Sequence, residues 1–406
     1  MVRVCILGGG SAGEEAAFEA RLRGAEVTVV ERRPDQEPPW KSWPDLISQS
    51  PAKEAPFYSR RNSSLSVLTA EVKGARPALV TLSNGDRLRT DSIIVSTGSR
   101  FRPVSLLGAQ KPGVLILDGA EKYEDLGRKC RSLDRAVVVG EGYRGLEVAD
   151  RLCSFGVRVL LVISCWQYEA PAQVVVDVFE DAARERGVEF QRGEVSRAVG
   201  SRRVEAVVAG GSVIPCDTLV IVPFRVPNPV HSSLRLGRTG GVEVDGAMRT
   251  SETSMFAAGG CAELKGDILG SGTLAAEPFL SGRIAGSNSM GSTHSIEGAR
   301  IEQLRVFGLG WSRIGRRTGA RLAFRNRVET VSRRWGAASA CVIMHEGFNE
   351  RVVGVESVQP TTSSPAGLPP LGAGATLEAL AFGLGSSDIS QISETARLGL
   401  REWRKS

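Results

Sequence analysis

One pattern occurs twice in the chain, roughly 130 residues apart: an apolar run, a glycine cluster, a helix-like stretch and a second apolar run. The first copy, "VRVCILGGGSAGEEAAFEARLRGAEVTVVE" from Val2, puts Gly8, Gly10 and Gly13 between strand and helix. In such a unit the first glycine permits the tight turn, the second lets a diphosphate approach the backbone, and the third lets helix and strand pack closely. Free N–H groups and the helix dipole favour phosphate at that N-terminus. Glu31 ends the next strand at the spacing that suits a ribose hydroxyl. The second copy, "RAVVVGEGYRGLEVADRLCSFGVRVLLVIS" from Arg135, carries Gly140, Gly142 and Gly145. Its second strand ends on Ile163 rather than an acid, and the following "SCWQ" holds no arginine for a 2′-phosphate. A dinucleotide is expected there without a visible choice between ribose forms. Two dinucleotide-binding domains are therefore predicted.

Around these units the pattern is short and extended from Ser64 to Ser99, with a hairpin at Asn84-Gly85 before a buried strand. A helix is expected from Val174 to Arg186. After the Gly291–His294 joint, strand-like pieces such as "ASACVIMHEG" and "RVVGVESVQ" precede two helices near the end, and "PTTSSPAGLPPLGAG" from Pro360 reads as loop. At 406 residues the chain has room for two or three domains. Its longest apolar runs are strand-sized, which predicts no membrane-spanning segment. Met1 leads directly into the first strand, so no targeting peptide and a cytoplasmic location are expected. The seven cysteines show neither CxxC pairs nor metal-ligand spacing, so neither a disulfide framework nor a metal is predicted. Cys5, Cys153, Cys216 and Cys341 sit in apolar patterns that suit buried thiols. The net charge of +6 is spread along the chain, and no basic block argues for nucleic acid.

With these motifs in place, the chain resembles the pyridine nucleotide–disulfide oxidoreductase family of FAD flavoproteins. Within it, the likeness is to the branch of dihydrolipoyl dehydrogenase, glutathione reductase and mercuric reductase. "VRVCILGGGSAGEEAA" is similar to the family's FAD turn, "IIVSTGSRFRP" to its crossing between domains, and "GEGYRGLEVA" to its NAD(P) turn. "RVPNPV" from Arg225 resembles a GR-x-PN motif, and "TSMFAAGGCAE" the stretch that holds the flavin ribityl and pyrimidine side. "CVIMHEGFNERVVGVESVQ" looks like central strands of the dimerisation domain. The resemblance implies an α/β chain with two Rossmann-like dinucleotide-binding domains plus a C-terminal α+β dimerisation domain. FAD would lie in 1–112 with 240–291, NAD(P) in 113–239, and the homodimer interface in 292–406. The implied FAD contacts are Gly8, Gly10, Ser11, Ala12, Gly13, Glu31, Arg32, Lys53, Thr97, Gly98, Gly259 and Gly260. The implied NAD(P) contacts are Gly140, Gly142, Tyr143, Arg144 and Gly145.

The departures bear on function. That branch carries Cys-x4-Cys followed by Ile/Val-Pro-x-Lys. Alignment on Pro51 and Lys53 puts Pro44 and Gln49 in the cysteine slots, and neither can attack a disulfide. The branch's terminal His-Pro-x-x-Ser-Glu motif has no counterpart in "SDISQISETARLGLREWRKS"; His231, His294 and His345 lie elsewhere. Lys53 and Glu147 resemble the lysine–glutamate pair beside flavin N5 and the nicotinamide, and are the expected catalytic residues. Gly260 stands in place of an aspartate; one lost charge-assisted hydrogen bond costs about 1.5–3 kcal/mol. Arg144 replaces an isoleucine, and either obstructs NAD(P)H or recruits an anion, while Phe224 fills a glycine slot. The expected function is an FAD-dependent oxidoreductase passing hydride from NAD(P)H through flavin to a non-disulfide acceptor: a quinone, a dye, oxygen or another carrier. The alternative is a degenerate, non-catalytic FAD-binding homologue with a structural or regulatory role.

Overall fold

The computed structural model describes residues 1–32, 66–140, 143–163, 171–230, 233–265, 278–295, 301–315, 328–334, 340–346 and 351–360. These fall into two compact units, the first within Met1–Trp40, Ala52–Arg102 and Arg225–Glu297, the second within Lys41–Pro51, Pro103–Phe224 and Gly298–Ser406.

In the first unit, β1 (Arg3–Leu7), β2 (Glu26–Glu31), β3 (Ser66–Thr69), β4 (Ser92–Val95) and an outer strand, Met255–Ala257, form one parallel sheet. The spatial order is Met255–Ala257, β4, β1, β2, β3. Runs such as "RVCIL" and "SIIV" are apolar on both faces, as parallel strands covered on both sides require. Helix α1 (Ser11–Leu22) joins β1 to β2 and packs on the Pro278–Asn288 helix. That contact is made backbone to backbone. A Cβ at Gly282 would lie 2.2 Å from the Ala12 carbonyl oxygen, and one at Gly286 would lie 2.4 Å from that of Ala16. Along its edge the Arg283 guanidinium reaches Glu15 at 3.0 Å and Glu19 at 3.4 Å, and the Ser287 hydroxyl reaches Glu19 at 3.3 Å. The hairpin at Asn84-Gly85 is present: Leu79–Leu82 pairs with Arg87–Arg89, and Asp86 N–H donates to Asn84 Oδ1 at 3.0 Å.

The second unit contains a second parallel sheet of β5 (Val114–Ile116), β6 (Arg135–Gly140), β7 (Arg158–Ile163), β8 (Glu189–Arg192) and β9 (Thr218–Val222), in the order β8, β7, β6, β9, β5. One face carries α2 (Ala120–Lys129), α3 (Tyr143–Ser154) and α4 (Gln173–Glu185), through Leu126, Leu146 and Phe179. The other is covered by the antiparallel strands Val195–Val199, Ala206–Ala209 and Ser212–Pro215, through Ala198 and Val207. Helix α4 lies within one residue of the span expected at each end.

The same unit also holds an antiparallel sheet of β10 (Ile301–Val306), β11 (Leu309–Gly315), β12 (Val328–Arg334), β13 (Ala340–Glu346) and β14 (Arg351–Pro360), ordered β10, β11, β14, β13, β12. Phe307 and Gly308, at φ +52° and +74°, make the tight β10–β11 turn, and both-positive φ is what a two-residue hairpin favours. Leu304, Val306, Leu309, Trp311 and Val358 share one core with α3 and α4, so helices α3 and α4 are covered on two sides. The two helices expected near the C-terminus lie outside the described residues.

Because the methyl of an alanine at position 286 would meet main chain rather than a movable side chain, Gly286→Ala is expected to destabilise by about 1–3 kcal/mol. Urea unfolding measures this, and an unchanged midpoint would contradict the close packing.

Candidate functional site

The three glycines of the first turn play three separate roles. Gly8 has φ +103°, and a Cβ on it would lie 2.5 Å from the Ser96 carbonyl oxygen. Gly13 brings α1 against the turn so closely that a Cβ there would lie 1.9 Å from the Gly8 oxygen. Gly10 is different: among the described residues nothing lies within 4 Å of its Cβ position. The backbone is thus bare on the side from which a diphosphate would come. Among the described residues no side chain caps α1, which leaves its first N–H groups available to an anion. Glu31 closes the turn from the side, accepting from Gly9 N–H at 2.6 Å. Arg32 is drawn off into an exposed pair with Glu71 at 3.7 Å.

Two further segments converge on this helix end. The Ser96 hydroxyl donates to the Gly8 carbonyl at 2.8 Å, which ties the end of β4 to the turn. Next to it the Thr97 hydroxyl donates to the Asn228 carbonyl at 2.6 Å, while Gly98 takes φ +68°. Gly259, at φ +72°, lies against α1, where a Cβ would come within 2.8 Å of Ala12 Cβ. Gly260 faces Gly98 and Ser99, whose hydroxyl would be 3.3 Å from an added Cβ. The structure therefore brings Gly8, Gly10, Ser11, Ala12, Gly13, Glu31, Thr97, Gly98, Gly259 and Gly260 to one edge of the sheet. Lys53 lies outside the described residues. Ser96 was not singled out in the sequence; its role depends on a neighbour 88 residues away, which leaves no local signal.

Glu14, also not anticipated, is buried at 2 % exposure in the first turn of α1. Among the described residues neither carboxyl oxygen has a hydrogen-bond partner. Burial first, and then the neighbouring Glu15 charge, push its pKa up to about 8. Its carboxyl group is therefore mostly protonated at neutral pH. Cysteine chemistry is suppressed in the same way. Burial pushes Cys5 to about 12 and Cys216 to about 11, and raises Cys130, Cys153 and Cys261. Among the described residues no thiol is poised as a thiolate, including Cys261 beside Gly260.

At the second turn Gly140 and Gly145 cross, with an added Cβ on Gly140 only 2.6 Å from Gly145 Cα. Gly142 lies outside the described residues. Tyr143 and Arg144 are the first two residues of α3 and are partly buried, as is Glu147 one turn on. Ile163 ends β7 as a buried side chain whose carbonyl accepts from Gly193 N–H at 3.2 Å.

Comparison with known proteins agrees with this geometry. The family model described as pyridine nucleotide-disulphide oxidoreductase matches residues 2–285. The chain belongs to that family. It is 30 % identical over 278 residues to the rubredoxin-NAD(+) reductase of Pseudomonas putida, covering 64 % of this chain and 71 % of that protein. It is also 30 % identical to the rhodocoxin reductase of Rhodococcus erythropolis, over 64 % of each chain. A solved structure of the covalent putidaredoxin reductase–putidaredoxin complex superposes with a TM-score of 0.70 at 22 % identity, covering 88 % of this chain and 89 % of the other. Reductases of this family use FAD and NAD(P)H, and this member is an NAD(P)H dehydrogenase-type flavoenzyme rather than a disulfide reductase. The first turn fits FAD on its own geometry, since it offers a side-chain-free approach at Gly10, uncapped N–H groups and an acid at the ribose position. No helix among the described residues is long and apolar enough to cross a membrane.

Two outcomes are expected from this site. Gly10→Ala leaves apoprotein stability within about 0.5 kcal/mol, because its methyl meets no atom of the described residues, yet weakens FAD binding at least about tenfold; a thermal melt with an FAD titration checks both. For Glu14, the folded pKa lies above the unfolded 4.5, so the folded state binds the extra proton between pH 4.5 and 8. Its contribution to stability is intact below that window and declines as pH rises through it. Glu14→Gln is thus expected to gain on wild type by up to about 1.4 kcal/mol per pH unit there, read from urea midpoints at pH 5, 6.5 and 8.

Proposed function

We propose that this protein oxidises NAD(P)H through FAD and hands the electrons to a small redox-carrier protein. The observation that carries this reading is the set of relatives: a rubredoxin reductase, a rhodocoxin reductase and a reductase solved in complex with putidaredoxin. Of the acceptors expected from the sequence, this reading favours the carrier over a quinone, a dye or oxygen. Bound FAD supplies the chemistry that joins a hydride donor to one-electron acceptors.

The chain's own residues do the rest. The Gly8–Gly13 turn and the N-terminus of α1 hold the diphosphate, and Glu31 the ribose. Thr97, Gly98, Gly259 and Gly260 shape the flavin end. Gly140 to Gly145 with Tyr143 and Arg144 receive the nicotinamide nucleotide, whose diphosphate offsets the Arg144 charge at a helix end that otherwise disfavours a cation. Lys53 and Glu147 remain the proposed catalytic pair, the lysine favouring negative charge at the reduced ring. Hydride transfer asks only that the two rings stack about 3–3.5 Å apart, so raised thiol pKa values are no handicap. The proposed domains are residues 1–112 with 240–291 for FAD, 113–239 for NAD(P), and 292–406 as the interface of a homodimer.

The test is an anaerobic titration of the yellow protein with NADH and with NADPH, followed by mixing with oxidised rubredoxin, a [2Fe–2S] ferredoxin, benzoquinone or glutathione disulfide. One reduced nucleotide is expected to bleach the flavin, and an iron–sulfur or rubredoxin carrier to restore it at least about tenfold faster than the quinone at equal concentration. A flavin that neither nucleotide bleaches, or one restored only by quinone or disulfide, would overturn the reading.

A further inference from the structure

Among the described residues, Trp311 of the C-terminal sheet meets Tyr143 in the Gly140–Gly145 turn. Trp311 on β11 is 1 % exposed, and its ring lies 4.6 Å from that of Tyr143, centroid to centroid, tilted by 36°. Tyr143 lies within that turn as the first residue of α3. It is only partly buried, so Trp311 does not enclose the ring completely.

Trp311 is itself held on two sides. Its Nε1–H donates to Glu356 Oε1 at 2.7 Å, and the Arg313 guanidinium stands 5.1 Å over its ring. Arg313 and Glu356, both essentially without solvent exposure, face each other at 4.0 Å. The two Glu356 oxygens also accept from Ala172 N–H, at 3.3 and 3.2 Å, immediately before α4. A carboxylate suits a helix N-terminus. A buried ion pair adds little net stability over apolar packing, and its best-attested use is to fix register. What this pair fixes is the indole that Tyr143 leans on.

We infer that Trp311, held by Glu356, is a positioning residue for the nicotinamide nucleotide: it sets the Tyr143 ring at the turn, so that the C-terminal sheet governs how tightly the nucleotide binds. A ring already held costs the ligand nothing to order, whereas a loose one is ordered at the ligand's expense. The inference rests on the proposed role of the second turn as the nicotinamide site.

The experiment uses the full-length FAD-loaded protein and the variants Trp311→Leu, Trp311→Phe, Glu356→Gln, Tyr143→Leu and the Trp311→Leu/Tyr143→Leu double. NAD(+) binding is measured by calorimetry without turnover, and flavin reduction is followed against NADH concentration; the melting temperature and flavin spectrum report folding. Trp311→Leu and Tyr143→Leu are each expected to raise the nucleotide Kd about tenfold, with the limiting reduction rate of Trp311→Leu within about twofold of wild type and the Kd of the double no worse than that of the weaker single. Trp311→Phe restores most of the affinity, and Glu356→Gln loosens it. A folded Trp311→Leu that binds like wild type, or losses that multiply in the double, would overturn the inference while leaving the functional reading intact. Should Trp311→Leu fail to fold, unchanged Kd values in both Trp311→Phe and Glu356→Gln would overturn it equally. A wild-type protein that binds no nicotinamide nucleotide overturns both.

Discussion

The first unit depends on a contact that no side chain makes. Gly13 lies so near the Gly8 carbonyl that even a methyl group is excluded, and Gly282 and Gly286 repeat that exclusion against Ala12 and Ala16. These contacts fix where α1 begins and which way it points. Everything proposed for the flavin follows from that helix end: the uncapped N–H groups, the bare approach at Gly10 and the Glu31 carboxylate on Gly9. Close packing of this kind tolerates no adjustment, because the atoms in contact are main chain.

Burial then separates the ionisable groups by role. Glu15 and Glu19 keep a cation, Arg283, at the solvent edge of the helix pair, whereas Glu14, one residue earlier, is buried with no hydrogen-bond partner among the described residues. Cys5, Cys130, Cys216 and Cys261 are buried likewise, Cys261 wholly so next to the glycines that shape the site, while Cys153 is only partly covered. Raised pKa values at Cys5, Cys130, Cys153, Cys216 and Cys261 do not favour thiol–disulfide exchange at these positions. That agrees with proline and glutamine at positions 44 and 49, although those positions lie outside the described residues.

Much of the architecture was legible beforehand for physical reasons. Parallel strands covered on both faces must be apolar throughout, and a strand–helix crossing this tight admits only glycine, so both turns and their sheets stood out. The hairpin at Asn84-Gly85 was equally plain, because a tight turn needs residues that accept positive φ. Long-range partnerships were not legible. Thr97 meets Asn228 across 131 residues, Glu356 meets Ala172 across 184, and Trp311 finds Tyr143 in a different sheet-and-helix layer. None of these leaves a periodicity or a spacing to read. Glu14 escaped notice because an acid early in a helix ordinarily signals favourable dipole interaction and exposure, and only the packed structure shows it buried.

The most direct measurement is a crystal structure of the protein purified with its flavin. The account predicts the diphosphate against the N–H groups of Ser11 to Gly13, the adenosine ribose on Glu31, and no sulfur atom in contact with the isoalloxazine ring. A flavin bound elsewhere, or a cysteine sulfur stacked on the ring, would contradict it.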